Sequence, residues 1–114
     1  LQADPTVSYG CRVLPLSAPS CAGFSGRISR AMLEDPANPY NTYRHKGLPP
    51  GPISNPGETA LEAALNPADT DAIFFVTVNL DTGETLFAAT NEEHEANRRV
   101  FQQWCADNSD RGLC

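Results

Sequence analysis

The chain has 114 residues, 40% of them hydrophobic, with 10 prolines, 8 glycines and a net charge of -6. That length supports one domain with a modest core, and the acidic balance argues against a nucleic-acid partner. No apolar run approaches bilayer length and no signal peptide opens the chain.

In chain order, residues 1–27 read as extended or irregular, because Pro5, Pro15 and Pro19 lack an amide donor and break helices. Within them, Cys11 to Cys21 reads as a surface excursion held by its own staple. Ser29 caps a short helix through Leu33, which Pro36 ends. Residues 40–57 cannot form a regular element, since the prolines fix φ and the glycines are free. This long loop gathers phenols, carboxamides and a hydroxyl, the groups that read sugars, and such loops carry binding sites.

The clearest helix start is Asn55-Pro56-Gly57-Glu58, with Asn55 as N-cap, Pro56 at the first helical position and Glu58 at N3. Ala60, Leu61, Ala64 and Leu65 then share one face, and Asn66-Pro67 stops the helix. Residues 72–78 are apolar at successive positions and β-branched, which predicts a strand buried on both faces. Asn79 to Gly83 supplies a turn with Gly83 in the left-handed position, and Thr85 to Ala89 returns as a second strand with Phe87 in the core. Thr90-Asn91-Glu92-Glu93 is a capping box for a helix running to about Asp107, with Ala96, Val100, Phe101, Trp104 and Cys105 as its apolar stripe. The sum is an α+β fold over a single domain, 1–114: a β-hairpin packed against two helices, with a long Pro/Gly/Tyr-rich functional loop.

Four cysteines, none in a C-x-x-C, make zinc a poor fit and favour disulfides in an oxidising compartment. Three pairings exist; Cys11 with Cys21 and Cys105 with Cys114 are preferred because each closes a short local loop, with free buried thiols as the alternative. Each closure contributes about 2–3 kcal/mol through the unfolded state. Residues 1–50 balance to +2, leaving -8 for the rest of a chain whose net charge is -6. A mildly basic first half suits a substrate bearing peptide carboxylates; a solvated surface explains it equally.

The string Tyr40-Asn41-Thr42-Tyr43, followed by Gly47-Leu48-Pro49-Pro50-Gly51-Pro52-Ile53-Ser54-Asn55-Pro56-Gly57, carries a family likeness. Together with Leu1-Gln2-Ala3-Asp4-Pro5-Thr6-Val7-Ser8-Tyr9 and Glu93-His94, it resembles the YceG-like (MltG-like) family of endolytic murein transglycosylases, from Leu1 to roughly Val100. The resemblance implies a lytic enzyme of the bacterial envelope that cuts peptidoglycan glycan strands and leaves anhydro-muramyl ends. It implies a membrane anchor upstream, an extracytoplasmic location, and proteins of cell-wall synthesis as candidate partners. One glutamic acid protonates the glycosidic oxygen and then, as base, helps the muramyl O6 close onto C1, so neither cofactor nor metal is implied. The family places that glutamate on a helix before Leu1. The chain therefore reads as the C-terminal part of a catalytic domain, and on its own as inactive.

No carboxylate here is nominated as catalytic. Glu58, Glu93 and Asp81 are explained by caps and turns, and Asp4, the one acid beside the sugar-reading residues, is alternatively a hydrogen-bond partner of loop amides near Thr6. The candidate substrate-binding set is Gln2, Asp4, Thr6, Tyr9, Tyr40, Asn41, Thr42, Tyr43 and Asn55. Leu1-Gln2 and Tyr40-Asn41 are similar, at motif level, to pairs used by lysozyme-like lytic transglycosylases. Tyr40 and Tyr43 offer stacking faces and hydroxyls, Asn41 and Thr42 serve sugar or backbone alike, and capping alone accounts for Asn55. His94 near a helix start reads as packed rather than catalytic. The rival readings are a non-catalytic peptidoglycan-binding or scaffold module and a disulfide-stapled secreted interaction domain.

Overall fold

The computed structural model describes residues 2–114. The chain divides into two compact units, with the boundary between Leu61 and Glu62. That boundary falls inside a helix rather than at a flexible linker.

The first unit opens with a helix, α1 (Asp4–Val13), where an irregular segment is expected from the prolines. Pro5 lies in the first turn, where amides have no intrahelical acceptor and a missing donor costs nothing. Pro15 lies beyond the last helical residue. Thr6, Val7, Gly10 and Cys11 form the buried face, and Val7 and Cys11 join Ala18, Cys21 and Met32 in the core. The Cys11–Cys21 disulfide ties α1 to a 3-10 turn at Pro19–Cys21, across a Cα separation of 5.0 Å.

The short helix α2 (Arg30–Glu34) forms where it is expected, with the Ser29 hydroxyl accepting from the Met32 amide at 3.3 Å. Phe24, Ile28, Leu33 and Tyr43 pack around this core. From Asp35 to Gly57 the chain has no helix or strand, and close turns hold it instead. The Asn41 amide donates to the Asn38 carbonyl, and the amides of Arg44 and His45 donate to the Asn41 carbonyl.

The third helix, α3 (Glu58–Leu65), starts later than Asn55 and Pro56 predict. The Leu61 amide donates to the Gly57 carbonyl, so Gly57 rather than Asn55 takes the capping position. Glycine is tolerated as a cap but poor inside a helix, which moves the start past it. Its apolar residues are exposed, Leu65 by 81%.

In the second unit, β1 (Phe74–Asn79) pairs antiparallel with β2 (Glu84–Ala88), with an irregularity between Thr77 and Asn79. The Asn79 side chain accepts from the amides of Asp81 and Thr82, and Gly83 adopts φ of 74° in the turn. The last helix, α4 (Asn91–Asp107), begins with the expected capping box of Thr90 and Glu93 and packs on the hairpin. Cys105 and Cys114 close the second disulfide.

Among the described residues α4 lies along one side of the hairpin, so the strand pair has one inner and one outer face. Val78 and Ala88 are buried on the inner side, while Phe75 and Phe87, which pair directly, are 43% and 67% exposed. Both-sided burial of β1 and a core place for Phe87 are thus corrected by the two-residue period of a strand. Ala88 faces α4, so its neighbour Phe87 faces away. The stripe expected on α4 holds at Phe101, Trp104 and Cys105, which are partly buried, but Ala96 and Val100 are exposed and His94 and Asn97 turn inward instead. His94 stacks on Phe74 with ring centroids 5.1 Å apart, and Asn97 donates to the Phe87 carbonyl at 3.3 Å. No helix among the described residues is long and apolar enough to cross a membrane.

Candidate functional site

The amino-terminal end of α1 and the segment Tyr40–Tyr43 are clasped together inside the first unit. Thr6 Oγ1 donates to the Ala3 carbonyl at 2.7 Å. Its single proton is thereby used, so across the 2.8 Å contact between the two hydroxyls Thr42 donates and Thr6 accepts. Thr42 Oγ1 accepts in turn from the Ala3 amide at 3.1 Å. Beside this network Tyr43 Oη donates to Asp4 Oδ1 at 2.6 Å, a short charge-assisted bond. Tyr9 meets Tyr40 edge to face, with centroids 5.0 Å apart. The Tyr40 hydroxyl reaches the loop at Gly51, where a Cβ would lie 3.5 Å from it.

Two buried asparagines position these groups. Asn41 is fully buried, and its Nδ2 donates to the carbonyls of Met32, Leu33 and Asp35 at 3.1, 3.1 and 2.8 Å. Among the described residues the Leu33 and Asp35 carbonyls have no other donor at the end of α2, while the Met32 carbonyl also accepts from the Asp35 amide at 3.4 Å. Its Oδ1 accepts from the Tyr43 amide at 3.0 Å. Asn41 therefore has no surface to offer a sugar, which corrects its place among the contacting residues: it holds Tyr43 in position. Asn38, which the sequence reading passes over, is also buried. It donates to the Val7 carbonyl and accepts from the Tyr40 amide, both at 3.0 Å. The accepting bond is an Asx turn, a signal available in Asn38-Pro39.

Of the remaining expected residues, Asp4 and Tyr43 stand together, and Thr42 and Thr6 form the network beneath them. Thr6 is buried and committed to internal bonds, so it too is structural. The partner of Asp4 is the Tyr43 phenol rather than an amide near Thr6. Gln2 is exposed, Asn55 lies in the exposed stretch before α3, and Leu1 of the Leu1-Gln2 pair lies outside the described residues. Among the described residues no three His, Cys, Asp or Glu side chains gather as metal ligands.

The carboxylates with displaced pKa values all move downward. Arg30 lowers Glu34, hydrogen bonds from Ser20 and the Ala37 amide lower Asp35, Arg111 lowers Asp81, and the amides of Thr90 and Ala89 lower Glu93. A general acid needs the opposite direction. Tyr43 moves up, to about 12, through burial first and then through its bond to Asp4 and the carboxylate charge. Its neutral form is favoured in the fold, so its contribution to stability is complete below the ordinary phenol value near 10 and is lost as pH rises toward 12. Phenolate absorbance should show one late tyrosine that Tyr43→Phe removes. Loss of a transition near 10 instead would refute the clasp.

The family model of the YceG-like family matches residues 1–100. The chain belongs to that family. An endolytic murein transglycosylase of Bacillus subtilis (strain 168) is 39% identical to this YceG-like chain over 101 residues, 89% of the chain and 24% of the relative. An endolytic murein transglycosylase of Streptococcus pneumoniae (strain D39 / NCTC 7466) is 35% identical over 60 residues, 53% of the chain and 11% of the relative. The crystal structure of a YceG-like protein from Listeria monocytogenes matches with a TM-score of 0.62 at 41% identity, over 84% of this chain and 27% of that one. The YceG-like chain thus spans about a quarter of the length of its Bacillus and Listeria relatives. The α+β architecture expected from the sequence, a hairpin packed with helices, is that of the Listeria neighbour.

Proposed function

We propose that this chain is the C-terminal part of the catalytic domain of an endolytic murein transglycosylase, acting on peptidoglycan outside the cytoplasmic membrane. The observation that carries this reading is the 39% identity to the Bacillus transglycosylase across 89% of the chain. The two disulfides support an oxidising compartment. An anchor in the cytoplasmic membrane and partners in cell-wall synthesis belong to the same proposal.

In the lytic reaction one acid protonates the glycosidic oxygen, the C1–O bond breaks, and the muramyl O6 closes onto C1 as the same group takes its proton. We assign that acid to polypeptide before Leu1. The downward direction of the displaced carboxylates supports this, as does the exposure of Asp4 and its bond from Tyr43. The chain itself supplies sugar contacts: Gln2 and Asp4 as polar groups, with Tyr9, Tyr40 and Tyr43 as partly exposed aromatic surfaces. Thr42 steadies the end of α1 beneath them.

Product analysis tests the reaction. Glycan strands are incubated with this chain and with the full-length parent, and anhydro-muramyl ends are sought by mass spectrometry. Ends from the parent alone are expected. Ends from the chain alone would put the acid within it, with Asp4 the first candidate, and none from either would favour a binding or scaffold module. In the parent, Tyr40→Ala should lower kcat/KM on the order of tenfold through lost stacking. Unchanged turnover would remove Tyr40 from the site.

A further inference from the structure

The excursion stapled by Cys11–Cys21 carries a groove that no part of the sugar reading uses. It is an open groove of about 450 Å³, lined by the disulfide, Arg12, Pro15, Phe24, Ser25 and the glycines Gly23 and Gly26. That volume lies in the range of small-ligand sites. Phe24 packs on the core and Cys11 and Cys21 are buried, so one side of the groove is apolar and rigid.

The polar side consists of donors. Arg12 is exposed in the last turn of α1, and the ion pairs among the described residues (Arg30–Glu34, Arg98–Glu95 and Arg111–Asp81) leave it unpaired. The Phe24 amide donates to the Cys21 carbonyl at 3.0 Å, closing a tight turn with Gly23 at φ of 72°. The amides that follow, on Ser25 and Gly26, donate to no acceptor among the described residues. Gly26 has φ of 104°, and a Cβ at either glycine would meet nothing within 4 Å, so the backbone there is bare. One guanidinium, a hydroxyl and two free amides beside an apolar wall suit an anion of single charge with an apolar body. No carboxylate lines the groove.

We propose that this groove is a subsite for the free carboxy-terminus of a peptide, with Arg12 pairing the carboxylate and Phe24 and Pro15 receiving the terminal side chain. Resting on the murein reading above, the occupant is the peptide stem borne by the glycan strand. The mildly basic charge of residues 1–50 agrees with such a partner.

The test is an amide-shift titration of the isotopically labelled chain with N-acetyl-Lys-D-Ala-D-Ala. Saturating shifts are expected at Arg12, Phe24, Ser25 and Gly26. Arg12→Gln should weaken binding on the order of tenfold, Arg12→Lys less, and the peptide with an amidated terminus should be weakened as Arg12→Gln is. Equal binding of the amide, shifts confined to Tyr40–Tyr43, or no saturating shifts would overturn the subsite. Tighter binding of the L,L peptide would overturn the stem-peptide assignment and turn the groove toward protein tails. Because the probe contains no sugar, a negative result leaves glycan cleavage standing. Absence of anhydro ends, with these shifts retained, would instead remove the reaction and keep the groove.

Discussion

Asn41→Ala should destabilise the first unit by about 3 kcal/mol, among the larger costs a single residue here can carry. The asparagine side chain is the shared donor for three carbonyls at the end of α2 and the acceptor for the Tyr43 amide. Alanine removes the two N–H donors that the three carbonyls share and the acceptor of the Tyr43 amide, and leaves those polar groups in a place where the native side chain is fully buried. The unmet desolvation of those groups, rather than the net value of the bonds, sets the cost. Denaturant unfolding checks the stability, and for a unit of this size the melting temperature should fall on the order of 10–20 °C. A loss below about 1 kcal/mol would mean that the α2 carbonyls do not depend on this residue.

The same substitution has a second readout. With its amide released, Tyr43 should lose part of its bond to Asp4, and its phenol should ionise closer to the ordinary value than to the raised value of about 12. Asn41→Ala would then impair turnover in the parent protein through folding and through Tyr43. Tyr40→Ala, whose native ring is partly exposed, is the cleaner probe of sugar contact.

Gly10→Ala should also be strongly destabilising, against the usual sign. Inside a helix this exchange ordinarily stabilises by about 1 kcal/mol. Gly10 is buried in α1, and a Cβ there would overlap the Asn38 side chain. Asn38 cannot yield freely, since it bonds the Val7 carbonyl and the Tyr40 amide. Either the asparagine leaves those bonds or α1 moves off the loop, at a net cost of about 2–3 kcal/mol. A thermal melt of the variant decides the matter, and unchanged or raised stability would show that α1 and the loop are not in close contact there. Loss of stability together with altered Tyr9 and Tyr40 fluorescence would link the helix–loop contact to the site.

Much of the architecture was legible because it rests on local chemistry. The Thr90/Glu93 capping box, the Ser29 cap, the glycine turn between the strands and both short-range disulfides depend on neighbours in sequence, and all form where the residues predict. The helix at Asp4–Val13 was hidden because proline is read as a breaker unless its position in the first turn is known. In the candidate site, the aromatic and acidic residues were visible as types, but their division into surface and scaffold was not. Asn41 and Thr42 are neighbours with similar chemistry; one is fully buried and the other is not.

The sequence by itself determined the family, the α+β class, the Ser29 and Thr90 caps and the glycine turn, and it favoured the cysteine pairing that forms, because each follows from residues close together or from a long specific string. Only the tertiary structure decided which side chains face outward. It turned Phe87 away from α4, buried Asn41 and Asn38, paired Asp4 with Tyr43, and left Arg12 unpaired beside an open groove. The physical reason is that burial and hydrogen-bond partnership depend on which elements meet, and the Asn38–Val7 and Asp4–Tyr43 contacts join residues 31 and 39 apart.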